Sequence, residues 1–246
     1  MRAAIVLALA ALVPLASAQP APPATAAVAA RMRVAAEQLL AALPEPAREK
    51  VARPFDDRDR VDWHYTPRSR NGVALKELDR KGRDAVHALL REALSAAGYR
   101  KVVNIIELEL VLRELETFGL MRDPERYHLT VYGTPSRTAA WGWRFEGHHV
   151  SLNFTLAGDR TVVDTPSFLG ANPATVGRGP RAGERVLAAE EDEARALLAL
   201  LTDAQRRTAV FDTRTYGDIV TTNAAKVDPL QPVGLAAADM TDAQRA

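Results

Sequence analysis

Residues 147–154 read GHHVSLNF and hold two of the chain's five histidines side by side. A neutral imidazole is a general base near neutral pH and a ligand for zinc, copper or iron. If this stretch is a strand, Val150, Leu152 and Phe154 share one face. His149, Ser151 and Asn153 share the other, with His148 near the turn. On the strand before it, Trp141, Trp143 and Phe145 alternate with Arg144 and Glu146, and one strand earlier His128, Thr130 and Tyr132 share a side. One sheet face thus collects His128, Arg144, Glu146, His149, Ser151 and Asn153. Such a face is either wet surface or the floor of a cleft, because an antiparallel sheet commonly leaves one side in water.

The chemistry expected of this set is hydrolysis, with a divalent metal ion as an optional cofactor. His148 or His149 would be the general base or the metal ligand, and Ser151 and Asn153 would orient it. Glu109 or Glu116 would supply a carboxylate from a buried helix. Adjacent strand residues point in opposite directions, so both histidines reach one ion only if the chain turns there, which Gly147 would allow. Glu109 and Glu116 lie seven apart on one helix face with Arg113 between them, a pattern equally expected of a salt-bridged stripe. The competing reading is a small-ligand module in which Trp141 and Trp143 form an aromatic platform beside Arg144. A structural envelope protein without a site is the third. His64 and His87 read as structural or solvent-facing.

Named catalytic signatures are absent: there is no G-x-S-x-G, H-E-x-x-H or Walker A motif and no cysteine. The 32 basic and 31 acidic residues are well mixed and leave a formal charge of +1, which argues against a nucleic-acid partner. No segment after the first is long and apolar enough to span a membrane.

The elements that must position these residues change period along the chain. MRAAIVLALAALVPLASAQP has one basic residue, an apolar run and Ala16-Ser17-Ala18. This is the pattern of a signal peptide cleaved after Ala18, so residues 1–18 are expected to be removed and the protein to be periplasmic or secreted. Residues 19–31 read as a Pro/Ala-rich leader, and 32–246 as one domain. A helix carrying Val34, Leu39, Leu40 and Leu43 stops at Pro44, and a short helix covers 46–53. Residues 55–72 are a charge-dense loop ending in an Asn-Gly turn. Leu75, Leu78, Val86, Leu89, Leu90 and Leu94 predict a helix over 73–97 capped by Gly98. Residues 101–119 predict the central buried helix. Alternation over 126–133, 138–147 and 148–156 then predicts an antiparallel meander of at least three strands. A Gly/Pro-rich segment follows (165–185), and then an amphipathic helix at 186–201. The expected fold is α+β: a central antiparallel sheet packed by helices at 73–97, 101–117 and 186–200.

TDAQR occurs at 202–206 and again at 241–245, each time as a capping box in which Thr and Gln satisfy each other's free backbone N–H. A looser echo relates 46–63 to 203–219, each a short helix running into Phe-Asp-x-Arg. The second TDAQR has only Ala246 after it, so the segment beyond Asp228 is expected to be poorly ordered and the chain to be shortened.

At YHLTVYGTPS, WGWRFEGHHVSLNF and FLGANPATVGRGPRAGERVL, the chain resembles the family called domain of unknown function 3500, from about residue 40 onward. The resemblance implies a secreted bacterial protein and lends no activity or catalytic residues. Members of that family are expected to be longer.

Overall fold

The structure is a computed structural model that describes residues 23–117, 119 and 122–245. The expected signal peptide lies outside the described residues. The architecture is α+β, with a six-stranded, mostly antiparallel sheet.

Three long strands form the meander: β3 (His128–Tyr132), β4 (Ala140–Gly147) and β5 (Val150–Ala157). Phe145 is opposite Leu129 and Leu152, and Trp143 is opposite Val131 and Phe154. The odd-numbered residues of β3 and β4 and the even-numbered ones of β5 therefore make one apolar face. Two short strands, β1 (Ala52–Arg53, parallel) and β2 (Val73–Ala74, antiparallel), share the outer edge of β3. β6 (Thr161–Leu169) closes the other edge. Sequence reading misses β6, because an edge strand has no alternating burial to betray it and tolerates Pro166.

Helices α1 (Pro23–Ala42), α2 (Glu45–Val51), α3 (Arg80–Ala93) and α4 (Ala96–Leu115) build the core with the apolar sheet face. Met32, Ala36, Leu39 and Leu43 of α1, Val86, Leu89 and Leu90 of α3, and Val102, Ile105 and Ile106 of α4 join the strand residues in one cluster. Helix α1 takes in most of the segment expected as a leader, since Val28 and Ala29 already pack on the core ahead of residue 32. Val34 is exposed rather than on that stripe.

The helix expected over 73–97 begins only at Arg80. Val73 and Ala74 pair with β3, Leu75 and Leu78 are buried from a short 3₁₀ turn, and the Asp79 carboxylate caps Gly82 N–H at 2.7 Å. Gly98 is no cap; it lies in the first turn of α4, where its N–H is taken by the Ser95 hydroxyl. Helix α5 (Ala188–Leu200) buries no residue, so it does not pack the sheet as expected. The two copies of the looser echo differ in burial: Phe55 is half-buried and Phe211 exposed.

Both TDAQR capping boxes form, at α6 (Asp203–Ala209) and α7 (Asp242–Arg245). The Gln205 and Gln244 side-chain amides also hydrogen-bond each other in both directions, at 3.0 and 2.9 Å. The segment beyond Asp228 thus has a specific anchor at Gln244.

The Asn-Gly turn does form. Gly72 has φ +82, and a Cβ there would stand 2.2 Å from the Leu129 carbonyl oxygen. Gly72→Ala is expected to destabilise the fold by about 2–4 kcal/mol, from left-handed strain plus displacement of the β2–β3 edge. Urea titration measures this, and a change under about 0.5 kcal/mol would contradict the turn's geometry.

Candidate functional site

The polar face of the sheet is largely sealed, although Arg144 and Asn153 also line a cavity of about 450 Å³. Arg144, Glu146, Ser151 and Thr130 are each 3% exposed or less, and Asn153 is 8%. What covers them is the charge-dense loop at 57–71. Glu146 accepts Arg70 Nε at 2.7 Å, the His64 backbone N–H at 2.7 Å and the Ser151 hydroxyl at 3.1 Å. Arg144 donates to Asp59 Oδ2 at 2.7 Å and to the carbonyls of Asp59 and Asp62. Tyr132 donates its hydroxyl to the same Asp59 oxygen. Buried charge is tolerable only when paired and fully hydrogen-bonded, and here loop and sheet each supply what the other lacks.

This geometry redistributes the residues singled out in the sequence. Ser151 spends its hydroxyl on Glu146, and Asn153 donates to Ser151 and to the Pro166 carbonyl; neither reaches a histidine. The guanidinium of Arg144 is committed internally. Trp141 and Trp143 are 0% and 1% exposed on the apolar face, Trp143 stacked on Phe154 at 4.4 Å. Trp141 is therefore no exposed ligand platform; Trp143 is buried as well but lines that same cavity of about 450 Å³.

The histidines form the two-residue turn between β4 and β5, since Gly147 pairs with Val150. His149 takes φ +58, a left-handed conformation that histidine tolerates better than most residues. It is therefore not on the polar face with Ser151. Its N–H donates to the Tyr65 carbonyl, and its ring meets Tyr65 and Phe168 edge-on. Gly147 is required by a side chain, not by a ligand: a Cβ there would lie 2.2 Å from the Tyr127 ring. Tyr127 in turn donates its hydroxyl to the His148 carbonyl at 2.7 Å, and burial holds that phenol far above its usual pKa.

The His148 ring stands edge-on to His149 at 4.2 Å and reaches α4 with its Nδ1. Its Nδ1 lies 2.5 Å from Glu109 Oε1, and both side chains are 10% exposed or less. Arg122 Nη1 is 3.4 Å from Nδ1 and 3.5 Å from Nε2. A group nearly equidistant from both ring nitrogens sits over the ring face, because an in-plane position would collide with Cε1. Arg122 is held there by a bidentate pair with Glu116 at 2.8 and 2.9 Å, which lowers the Glu116 pKa. Glu109 and Glu116 are thus joined through His148 and Arg122, not through Arg113, which instead donates to the Arg122 carbonyl.

His148, Glu109, Glu116 and Arg122 line a cavity of about 750 Å³ together with Arg68, Arg70, Lys76, Arg126, Tyr127 and His128. Of these, Arg68, Arg70, Lys76, Arg122, Arg126 and Tyr127 escape sequence reading, since a basic loop residue or a further strand aromatic carries no local mark of a site. The basic side chains outnumber the acidic ones; Glu116, Glu77 and Asp123 are engaged in ion pairs, and Glu109 in its hydrogen bond with His148. Among the described residues, no group of three or more His, Asp or Glu is placed to hold a metal ion. His148 and His149 stand with their rings 4.2 Å apart, but Glu109 already takes Nδ1 of the first.

His128 and His149 are half-buried, and burial lowers both pKa values to about 4. The unfolded chain, with histidines near 6.5, then binds more protons than the folded one between those values. Stability is expected to fall as pH drops from about 6.5 to about 4, by on the order of 1–3 kcal/mol per histidine, and then to level off for these two groups. Urea midpoints across that range check this; an H128N/H149N double variant should show a flatter slope, and an unchanged slope would contradict it.

Against known proteins, residues 25–246 match the family model described as protein of unknown function (DUF3500). No curated protein and no solved structure matches the chain.

Proposed function

We propose that this chain, which belongs to the DUF3500 family over residues 25–246, is a hydrolase that activates water with a Glu109–His148 pair. The carrying observation is that pair itself, 2.5 Å apart, nearly buried and set in the wall of a large cavity. An ionised Glu109 holds the proton on Nδ1 and leaves the Nε2 lone pair for the cavity. Nε2 then takes a proton from water as the oxygen attacks an electrophilic acyl carbon. Arg122 Nη1 faces the oxyanion that forms, and the imidazolium returns its proton to the leaving group. Water is the nucleophile in this reading: the chain has no cysteine, Ser151 is fully buried against Glu146, and no hydrogen bond joins Ser69 at the cavity wall to His148 among the described residues.

The substrate class follows from the lining. Arg126 makes no ion pair among the described residues, and Arg68 approaches Asp62 only at 3.7 Å. Their excess positive charge favours a small anionic substrate. The test is a panel of carboxylate-bearing esters and amides assayed with wild-type protein and with H148Q. Turnover of a panel member that is lost in H148Q supports the reading, and turnover equal in the two proteins contradicts it.

Export is part of the same reading, supported by the apolar run and the Ala16-Ser17-Ala18 site. Among the described residues, no helix is long and apolar enough to cross a membrane. Protein recovered from the periplasmic fraction is expected to begin at Gln19 on N-terminal sequencing. A chain that begins at Met1 there would contradict cleavage.

A further inference from the structure

A second cavity, of about 450 Å³, opens over the polar sheet face farther along the strands from the His148 turn. It shares no lining residue with the cavity at Glu109 and His148. Its size is within the range of small-molecule sites. Trp63, Val61, Pro166 and Val227 give it apolar walls, and Asn153 sits among them.

Asn153 carries the argument. Its Nδ2 donates to the Pro166 carbonyl at 2.8 Å and to the Ser151 hydroxyl at 3.1 Å. Turning the amide over would press Oδ1 against the Pro166 carbonyl, acceptor against acceptor, so the orientation is determined. Oδ1 is then a buried acceptor with no partner among the described residues, on a side chain more than nine-tenths buried. Buried acceptors are almost always satisfied, so one without a donor, on a residue that lines a cavity, points to a donor arriving from outside, which reaches the sealed Oδ1 as the cavity wall yields.

The charge of that ligand is also constrained. Arg60 and Arg144 both line the cavity and oppose a cation. The Arg144 charge is already met by Asp59, which leaves an anion only Arg60, and Asn153 Oδ1 calls for a donor and not a second acceptor. What fits is neutral. We propose that this cavity binds a small uncharged molecule with a ring-sized apolar body and an N–H or O–H donor directed at Asn153 Oδ1.

The test uses the full chain and two near-isosteric probes, benzamide, which has an N–H donor, and methyl benzoate, which has none, titrated by NMR. Benzamide is expected to bind at least about tenfold tighter, because a site built around a hydrogen bond rejects the analogue that lacks it. N153A should erase the difference. V227W, at a position that is half exposed and so tolerant of change, should block both probes with Asn153 intact. H148Q should leave binding unchanged, which separates this site from the proposed hydrolytic one. The proposal is overturned if neither probe binds, if the two bind equally to wild type, or if binding survives V227W. Should N153A fail to fold, the probe ratio and V227W still decide the matter.

Discussion

His148→Gln is expected to lower kcat/KM on any substrate the protein turns over by about 10²–10⁴-fold, with a melting temperature close to wild type. Glutamine keeps a polar group of similar reach opposite Glu109, so the wall of the cavity persists, but it cannot take a proton from water. The loss should be in kcat, because the base acts on the transition state and not on the bound substrate. Glu109→Gln is expected to cost about 10²-fold by the same route, since a neutral amide no longer fixes the proton on Nδ1. The Glu109–His148 contact spans 39 positions of sequence and ties α4 to the β4–β5 turn. A loss of folding in both variants, in place of a loss of turnover, would assign the pair to structure alone.

Glu146→Ala is expected to destabilise the protein by about 3–5 kcal/mol, a large fraction of a typical domain's stability. Its side chain is 3% exposed and accepts from Arg70, from the His64 backbone and from Ser151. Removing it strands the Arg70 guanidinium and leaves two further donors unsatisfied in the interior. Arg70 also donates to the Gly147 carbonyl, so the same change loosens the turn that carries His148. Glu146→Gln keeps one acceptor without the charge and should fall between wild type and alanine. Urea titration reads both, and a cost under about 1 kcal/mol for alanine would show that the loop does not depend on this network.

Much of the fold was legible before any coordinates. Period-two alternation in RYHLTVYG, TAAWGWRFEG and HHVSLNFTL places the three long strands, since one face of each is buried and the register follows. The apolar circumference of 101–115 marks α4 as the buried helix, and the first capping box marks α6; the second forms α7 in a segment expected to be poorly ordered, because Gln244 is held by Gln205. Reading failed where tertiary contacts override local pattern. Val73 and Ala74 look helical by spacing but are drawn into the sheet edge by β3. Helix α5 has the composition of an amphipathic helix and no face to bury it on.

The site was half legible. Glu109 and His148 are recognisable as candidate base and carboxylate, and the structure brings them together. Arg144, Glu146, Ser151 and Asn153 do share a face, as alternation requires. That the face is sealed by the loop at 57–71 depends on pairings such as Arg144–Asp59 and Arg70–Glu146, 85 and 76 residues apart, for which one sequence carries no local signal. His149 was misplaced because a strand was extended through a turn. A positive φ at histidine leaves no mark in the periodicity.

The most direct test of the Glu109–His148 base is the tautomer of His148, read from long-range ¹H–¹⁵N correlations of histidine-labelled protein at about pH 8. The account predicts a neutral ring protonated on Nδ1, with a bare Nε2, and a shift away from that tautomer in E109Q. A ring protonated on Nε2, which would mean that Glu109 holds the shared proton, or an imidazolium persisting at that pH, would contradict it.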